Sequence, residues 1–516
     1  MNKVFIILLF TSFVIRGQGN VTVSSGKSFT INKEGSLTMT GNYSNSGTVT
    51  LNSDSDEFSS IIIRGSSAGN ITYNRYVNNV GTNADEWDLI GPPVSDITIY
   101  SFITETNNAS TIAKNGSFYA LGTFDNTLDE WTNVTTETIG NLNLGQGYQM
   151  ATINGGTLAF TGSVATTDQT IAIQNNHAAN AGVGRRWNLV ANPFPSYIHG
   201  NDDAHATNNF LTVNTFKLDD PFEAIYGYKA DGNGHTIYNH TFESDTPVYI
   251  APGQAFFIAA ASTDSADITF TEAMQTVTGG DDFIAAKTTN TSYQLVLEMH
   301  NNTSKIGTTK FYFKEGLNLG LDPGYDAGAF SQRTPISSRL VEENQGINFS
   351  INAMNIAHMN SVTIPLVINQ EKDQAFKVGI ANSSLPEDIN VYLEDALKGT
   401  MTLLQAQDFG LTTENKISVT GRFYIHLTTN TLSNEDSLNT TLLNVFKGKG
   451  NDFVTIEGLT GKETAVTLYN VLGKKVRSKI LYTANETIST RGLIRGIYVI
   501  QLKSNNQLLT KKLHIN

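Results

Sequence analysis

The pentapeptide GSSAG at 65–69 places Ser67 in the G-x-S-x-G frame of a nucleophile elbow. Such an elbow needs a strand before the serine and a helix after it, because the sharp turn between them holds the hydroxyl up for attack. Here NITYNRYV follows, a run that alternates like a strand, so Ser67 reads as part of a polar turn. The nine histidines never form H-E-x-x-H; His199 and His205 are six apart and His235 and His240 five, in Gly- and Asn-rich segments. They read as exposed loop residues rather than zinc ligands. Two acidic groups invite calcium: Asp322 and Asp326 in LDPGYDAG, and Asp54, Asp56 and Glu57 in SDSDE. Neither fills the pattern of a calcium loop, and solvated turns are the plainer expectation. Trp87 and Trp187 offer flat faces on which sugar rings stack, although a strand tryptophan two residues from a leucine belongs more often to a core. The expectation is therefore no catalytic residue, no cofactor and no metal site, with calcium left open at the two acidic groups.

The bulk composition narrows the chemistry further. With no cysteine among 516 residues, disulfides, thiol nucleophiles and cysteine zinc sites are excluded. A content of 39% hydrophobic and 16% charged residues suits several folded cores rather than disorder. At the start, Lys3 precedes the apolar run 4–15, and Gly17-Gln18-Gly19 supplies the small residues a signal peptidase needs, so residues 1–19 read as a secretory leader cut after Gly19. Twelve apolar residues fall short of the roughly 20 that span a bilayer, and no later run is longer, so no transmembrane segment is expected in the mature chain. Charge is unevenly divided. From Lys447 onward there are twelve Lys/Arg against four Asp/Glu, which leaves twenty-two against forty-three for the rest. An acidic body argues against nucleic acid as a partner.

The elements that would position any site are strands. Polar and apolar residues alternate over short stretches, punctuated by turn pairs at Asn115-Gly116, Asn154-Gly155, Asp231-Gly232 and Asn233-Gly234. The fold class is all-β. In residues 20–65 the triplets VTV, FTI and LTM and then TVTL are too short to bury a face alone, which predicts a β-solenoid-like segment, a β-meander being the other arrangement. Two stretches then correspond in order. WDLIGPPVSDITI at 87 matches WNLVANPFPSYI at 187, LGQGYQMA at 144 matches PGQAFFIA at 252, and TLAFTGSV at 157 matches DITFTEAM at 267. This reads as two tandem β-sandwich-like modules, 66–165 and 166–282. Gly145-Gln146-Gly147 and Gly253-Gln254-Ala255 look like turns that set the register of the strand after each. Seven strands over 283–430 predict a β-sandwich of two antiparallel sheets, and 431–446 reads as a linker.

The last stretch, 447–516, alternates again through AVTLYNV and GIYVIQL and turns at Gly473 and at Asn505-Asn506, which predicts a small Ig-like β-sandwich. Its motifs are Asn470-x-x-Gly473-x-x-Val476, then Gly496-Ile497-Tyr498, then Lys511-Lys512-Leu513. In this order they resemble the type A C-terminal sorting domain of the type IX secretion system of Bacteroidota. The chain ends on HIN where that family often ends on a basic residue. The resemblance implies export through the inner membrane by the leader, recognition of the folded tail by the outer-membrane type IX machinery, and usually proteolytic removal of the tail, with release or attachment to surface lipopolysaccharide. The segment LPEDINVYLEDALKGTMTLL with GRFYIHL, and the Trp-x-Leu pair, resemble uncharacterised β modules of the same group, which bring no activity with them. The functional expectation is a secreted or cell-surface, non-enzymatic protein acting in adhesion, envelope structure or binding of an extracellular glycan or other polymer. Two alternatives stay open: a glycan-binding protein using the repeat modules, and an extracellular hydrolase with a dispersed site.

Overall fold

The structure is a computed structural model. It describes residues 14–515 apart from 18, 81–86, 177–185, 229–234, 241–246, 262–265, 281–292, 332, 430–443, 447–451, 458–463, 471–472, 482–484 and 505–506. The turns expected at Asp231-Gly232, Asn233-Gly234 and Asn505-Asn506 lie outside the described residues, as do 1–13 of the expected leader and most of the expected linker. The chain divides into two compact units, Met1–Asp219 with Ala224–Thr288, and Asp220–Glu223 with Thr289–Asn516.

The first unit opens with a parallel β-solenoid. Strands Val21–Val23, Tyr43–Asn45 and Ser67–Ala68 stack on one face, while Ser28–Ile31, Thr48–Asn52 and Asn70–Val77 stack on another. Each residue pairs with one 20 to 24 positions further along, so each coil takes three short strands. Side-chain amides tie coil to coil at the corners: Asn74 Nδ2 donates to Asn52 Oδ1 at 2.8 Å, and Asn20 Oδ1 accepts from the Asn42 amide at 2.8 Å. A third face holds Val14–Gly17, Ser36–Met39 and Ser60–Ile63. Val14–Gly17 falls inside the expected leader, and cleavage after Gly19 would remove it and bare one edge of Ser36–Met39.

After the solenoid, two four-stranded antiparallel sheets have the same strand order. In one, Asp88–Ile90 is followed across the sheet by Tyr148–Met150, Leu121–Asp125 and Glu130–Asn133. In the other, Trp187–Ala191 is followed by Ala255–Ala259, Ile225–Tyr228 and His235–Tyr238. Each is accompanied by a further antiparallel pair, Asn70–Val77 with Gly156–Ser163 and Gln169–Ile173 with Ala266–Phe270. Aromatic rings fill both interiors. Phe102 packs on Phe160 with centroids 4.7 Å apart, and Phe210 contacts both Phe256 and Phe270 at 5.0 Å.

In the second unit, the sandwich differs from the expectation of seven strands in two sheets. One eleven-stranded sheet curls around a single core, and strands from opposite halves of its order meet there: Phe409, in an edge strand, lies 5.8 Å from Phe423 in Ile417–Thr428, third from the other edge. Most pairs are antiparallel, but Lys305–Phe313 runs parallel to Phe349–Met354. Ala327–Gly328 and Ile336–Ser338 were too short to leave an alternating signature.

The tail forms an antiparallel sandwich of a three-stranded sheet and a four-stranded one, with Val454, Leu468, Ile500 and Leu513 in its core. The expected boundary at 447 needs correction. Asn444–Phe446, placed in the linker by its polar surroundings, pairs with Phe453–Glu457 and buries Val445 in this core.

Candidate functional site

Three tail motifs converge on one sheet. Strands Thr464–Asn470, Gly496–Ser504 and Gln507–Ile515 are neighbours, so Asn470, Tyr498 and Leu513 stand in one row across them. The Asn470 side chain accepts from the Lys474 amide at 2.9 Å and its carbonyl accepts from the Gly473 amide at 2.9 Å, closing a turn in which Gly473 has φ +75°. Tyr498 donates its hydroxyl proton to the Ile494 carbonyl at 2.8 Å. Val476 packs against the core, Ile497 and Lys512 face outward, and Lys511 is half-buried, which lowers its pKa from the ordinary lysine value. Gly496 begins the central strand, opposite Ile515.

The other expected candidates are dispersed. Ser67 lies in a solenoid strand with another strand directly after it. Lys33 Nζ sits 2.5 Å from Asp54 Oδ2 and 2.6 Å from Glu57 Oε2, so an ammonium already occupies the approach to that acidic group. The Asp322 carboxylate accepts from the amide and side chain of Asn318, and Asp326 accepts from the amides of Asp322 and Ala353, both at 2.7 Å. Both pairs of carboxylate oxygens are engaged inside the protein. Trp187 is buried edge-on against Tyr226, 4.6 Å away, and Trp87 packs on Ala113, Ala120 and Ala151. Trp187 is a core residue, whereas Trp87 is half-buried against that small cluster.

The histidines need a correction. His205 is exposed, but His199 ends strand Tyr197–His199, where its ring contacts His205 at 5.1 Å and Tyr249 at 5.9 Å. Burial and then the neighbouring His205 hold its pKa below the usual histidine value. His240 pairs with Asp202 at 2.9 Å. Among the described residues no three His, Asp or Glu side chains gather as a metal site.

Burial pushes the Asp326 carboxyl up to about 8, against the two amide hydrogen bonds that favour its charge. A raised carboxyl binds its proton in the folded chain at pH values where the unfolded chain has already lost it. Stability from this group is therefore complete below about pH 4 and declines as pH rises toward 8, by up to about 1.4 kcal/mol per unit. The second unit should melt at lower temperature at pH 8 than at pH 5, and Asp326→Asn should flatten that dependence in calorimetry.

Two arrangements escaped the sequence reading. On the curled sheet, His426 Nε2 lies 2.7 Å from Glu394 Oε2 and its Nδ1 lies 3.0 Å from Thr363 Oγ1, a hydroxyl–imidazole–carboxylate chain across three strands whose imidazole and carboxylate are buried and whose hydroxyl is half-buried. In the first unit, a cleft of about 440 Å³ opens between the two sheets, lined by Phe124, Asn143, Gln146, Thr170, Asn188 and neighbouring aliphatics. Trp131 pairs with Phe124 across the strands, 5.3 Å away, and remains 38% exposed. Asn143 donates its side-chain amide to Gln146 Oε1 at 3.1 Å, while Asn188 is engaged with the backbone of Gln174 and Arg186. Among the described residues no charged side chain lines this cleft. Its signal in the sequence was a set of carboxamides in turns and strands spread over about 60 residues, from Asn126 to Asn188, which no local pattern links.

A family profile described as a domain of unknown function (DUF8693) matches residues 2–427. The chain belongs to the DUF8693 family. A second profile, the secretion system C-terminal sorting domain, matches residues 450–516 of this DUF8693 protein, and among curated proteins none matches the chain. The tail is thus a type IX sorting domain, which makes the protein a secreted or cell-surface one that engages the type IX secretion machinery. Among the described residues no helix is long and apolar enough to cross a membrane.

Proposed function

We propose that this is a non-enzymatic binding protein, delivered by a cleaved leader and the sorting tail to the surface of a Bacteroidota cell, where it serves adhesion or holds extracellular polymer. The observation that carries this reading is the cleft between the two sheets. Its polar lining consists of carboxamides and a hydroxyl, groups that recognise a ligand by hydrogen bonds but neither gain nor lose protons near neutral pH. The aromatic packing of the interiors on either side supports a rigid platform. The purified secreted protein should adsorb to cells or insoluble polysaccharide while leaving polymer chain length unchanged; a fall in chain length on incubation would overturn the reading.

The hydrolase alternative rests on the Thr363–His426–Glu394 chain, whose order of groups is that of an activated hydroxyl nucleophile. It is supported only if Thr363→Ala abolishes a hydrolysis that the unmodified chain performs.

Delivery has its own test. Deleting residues 444–516 should strand the protein in the periplasm, and its appearance in the medium at normal levels would contradict the role of the tail. Gly473→Val should impair export, because a β-branched residue tolerates positive φ poorly, whereas Gly473→Asn should be tolerated.

A further inference from the structure

The two sheets of the first unit dock reciprocally. Gln146 of the first module forms a bridge with Val190 of the second, and Gln254 of the second forms a bridge with Ile90 of the first. The Ala191 amide donates to the Gly145 carbonyl at 2.8 Å, and the Gly91 amide donates to the Gly253 carbonyl at 2.8 Å. These are corresponding residues in the aligned segments: Ile90 with Val190, Gly91 with Ala191, Gly145 with Gly253 and Gln146 with Gln254. At the centre, a Cβ added to Gly91 would lie 2.2 Å from Ala191 Cβ, so a residue meets its own counterpart there, as it must on a twofold axis.

A twofold docking makes two equivalent grooves, and they are not in the same state. Phe160 faces Tyr73 and the corresponding Phe270 faces Gln169, so Arg75 in the first module corresponds to Ile171 in the second. Arg75 is 1% exposed. Its Nε donates to the Pro252 carbonyl at 3.1 Å and its guanidinium lies over the Phe58 ring at 4.2 Å, which brings the solenoid down on that side. Gln254 there is 1% exposed, and its Nε2 has no partner among the described residues. On the other side Ile171 is short, no solenoid residue lines the groove, and Gln146 lines the open cleft.

We propose that the modules are two copies of one unit docked about a local twofold, and that the groove left open beside Gln146 binds a neutral saccharide. The ligand class follows from the lining. Gln146 Nε2, Asn143 Oδ1 and Thr170 Oγ1 have no protein partner among the described residues, and together they offer a donor, an acceptor and a group that is both. That set matches neighbouring hydroxyls on a sugar ring. Phe124 supplies the apolar face that a pyranose ring covers, with the half-exposed Trp131 packed against it at the cleft's edge. An anionic polymer would find no cation among the described lining residues to offset its desolvation. The volume holds a short stretch of chain rather than a single water-bridged contact.

This inference rests on the reading of the protein as a binder, and one titration separates the two. The full chain is titrated with neutral hexasaccharides of glucose, mannose and xylose and with polygalacturonate, following tryptophan fluorescence and heat. At least one neutral hexasaccharide should bind and change Trp131 emission. Gln146→Ala should weaken it about tenfold, the scale of one well-made hydrogen bond. Thr170→Trp, at an exposed strand position, should fill the cleft and abolish binding with the melting temperature preserved, and Phe216→Ala, at a distant exposed site, should change nothing. Equal binding by the Gln146 and Thr170 variants would overturn the assignment to this cleft, and preference for polygalacturonate would overturn the neutral class. If no saccharide binds but cells still adsorb the protein, the inference falls and the binding reading stands. If neither occurs, both fall.

Discussion

Gly91→Ala should destabilise the first unit by about 2–3 kcal/mol, and adding Ala191→Gly to the same chain should return part of that loss, the part due to the meeting of the two methyl groups. The added methyl would lie 2.2 Å from Ala191 Cβ and 2.7 Å from the Gln146 carbonyl oxygen, both inside van der Waals contact. The strands must move apart, and the Gly91–Gly253 and Ala191–Gly145 hydrogen bonds lengthen with them. Each buried bond weakened leaves a donor or acceptor partly unsatisfied, at about 1 kcal/mol or more apiece. Because the shortest contact is between one residue and its counterpart, moving the methyl from one side of the axis to the other relieves that contact and leaves only the one with the Gln146 carbonyl. A denaturant titration of the two single variants and the double variant measures the coupling directly. Simple addition of the two single costs would mean that the methyl groups do not meet, and the twofold docking would lose its central contact.

What was legible in the sequence was what local pattern encodes. The solenoid triplets, the alternating tail strands and the Gly473 turn each advertise themselves within ten residues, by period-two alternation and by a glycine where φ is positive. The Trp-x-Leu strands were legible too, the second as a buried strand and the first only as a half-buried one. The docking partner of Gln146 was not, because its bridge to Val190 depends on how two finished sheets meet. The same holds for the curled sheet, which brings Phe409 of one edge strand against Phe423 near its other end only once eleven strands are ordered. His199 was misread as exposed because a strand end beside Tyr249 looks like any Gly-Asn loop in one dimension. Asn444–Phe446 was lost to the linker because three residues carry too little alternation to stand out from polar neighbours.

Replacing Arg75 by alanine should cost about 3–5 kcal/mol, the largest effect expected of any single side chain in the first unit. Arg75 is among the largest fully buried side chains, and it joins three segments: its own strand Asn70–Val77, the Pro252 turn and Phe58 of the solenoid. Truncation strands the carbonyls of Pro252 and Tyr76, which accept its Nε and Nη1 protons at 3.1 and 3.0 Å, and leaves a void under the Phe58 ring. Lysine should not rescue it, since a point charge cannot fork to two carbonyls and lie flat on an aromatic face at once. Isoleucine, the residue at the corresponding position of the other module, should recover part of the loss by filling volume without a buried charge. Hydrogen exchange should then report where the unit opens: the amides around Phe58 and Tyr73 should lose protection in Arg75→Ala while those beside Gln146 keep theirs. Loss of protection spread evenly over both sides would mean that Arg75 supports the whole unit rather than closing one groove, and the asymmetry between the two grooves would need another cause.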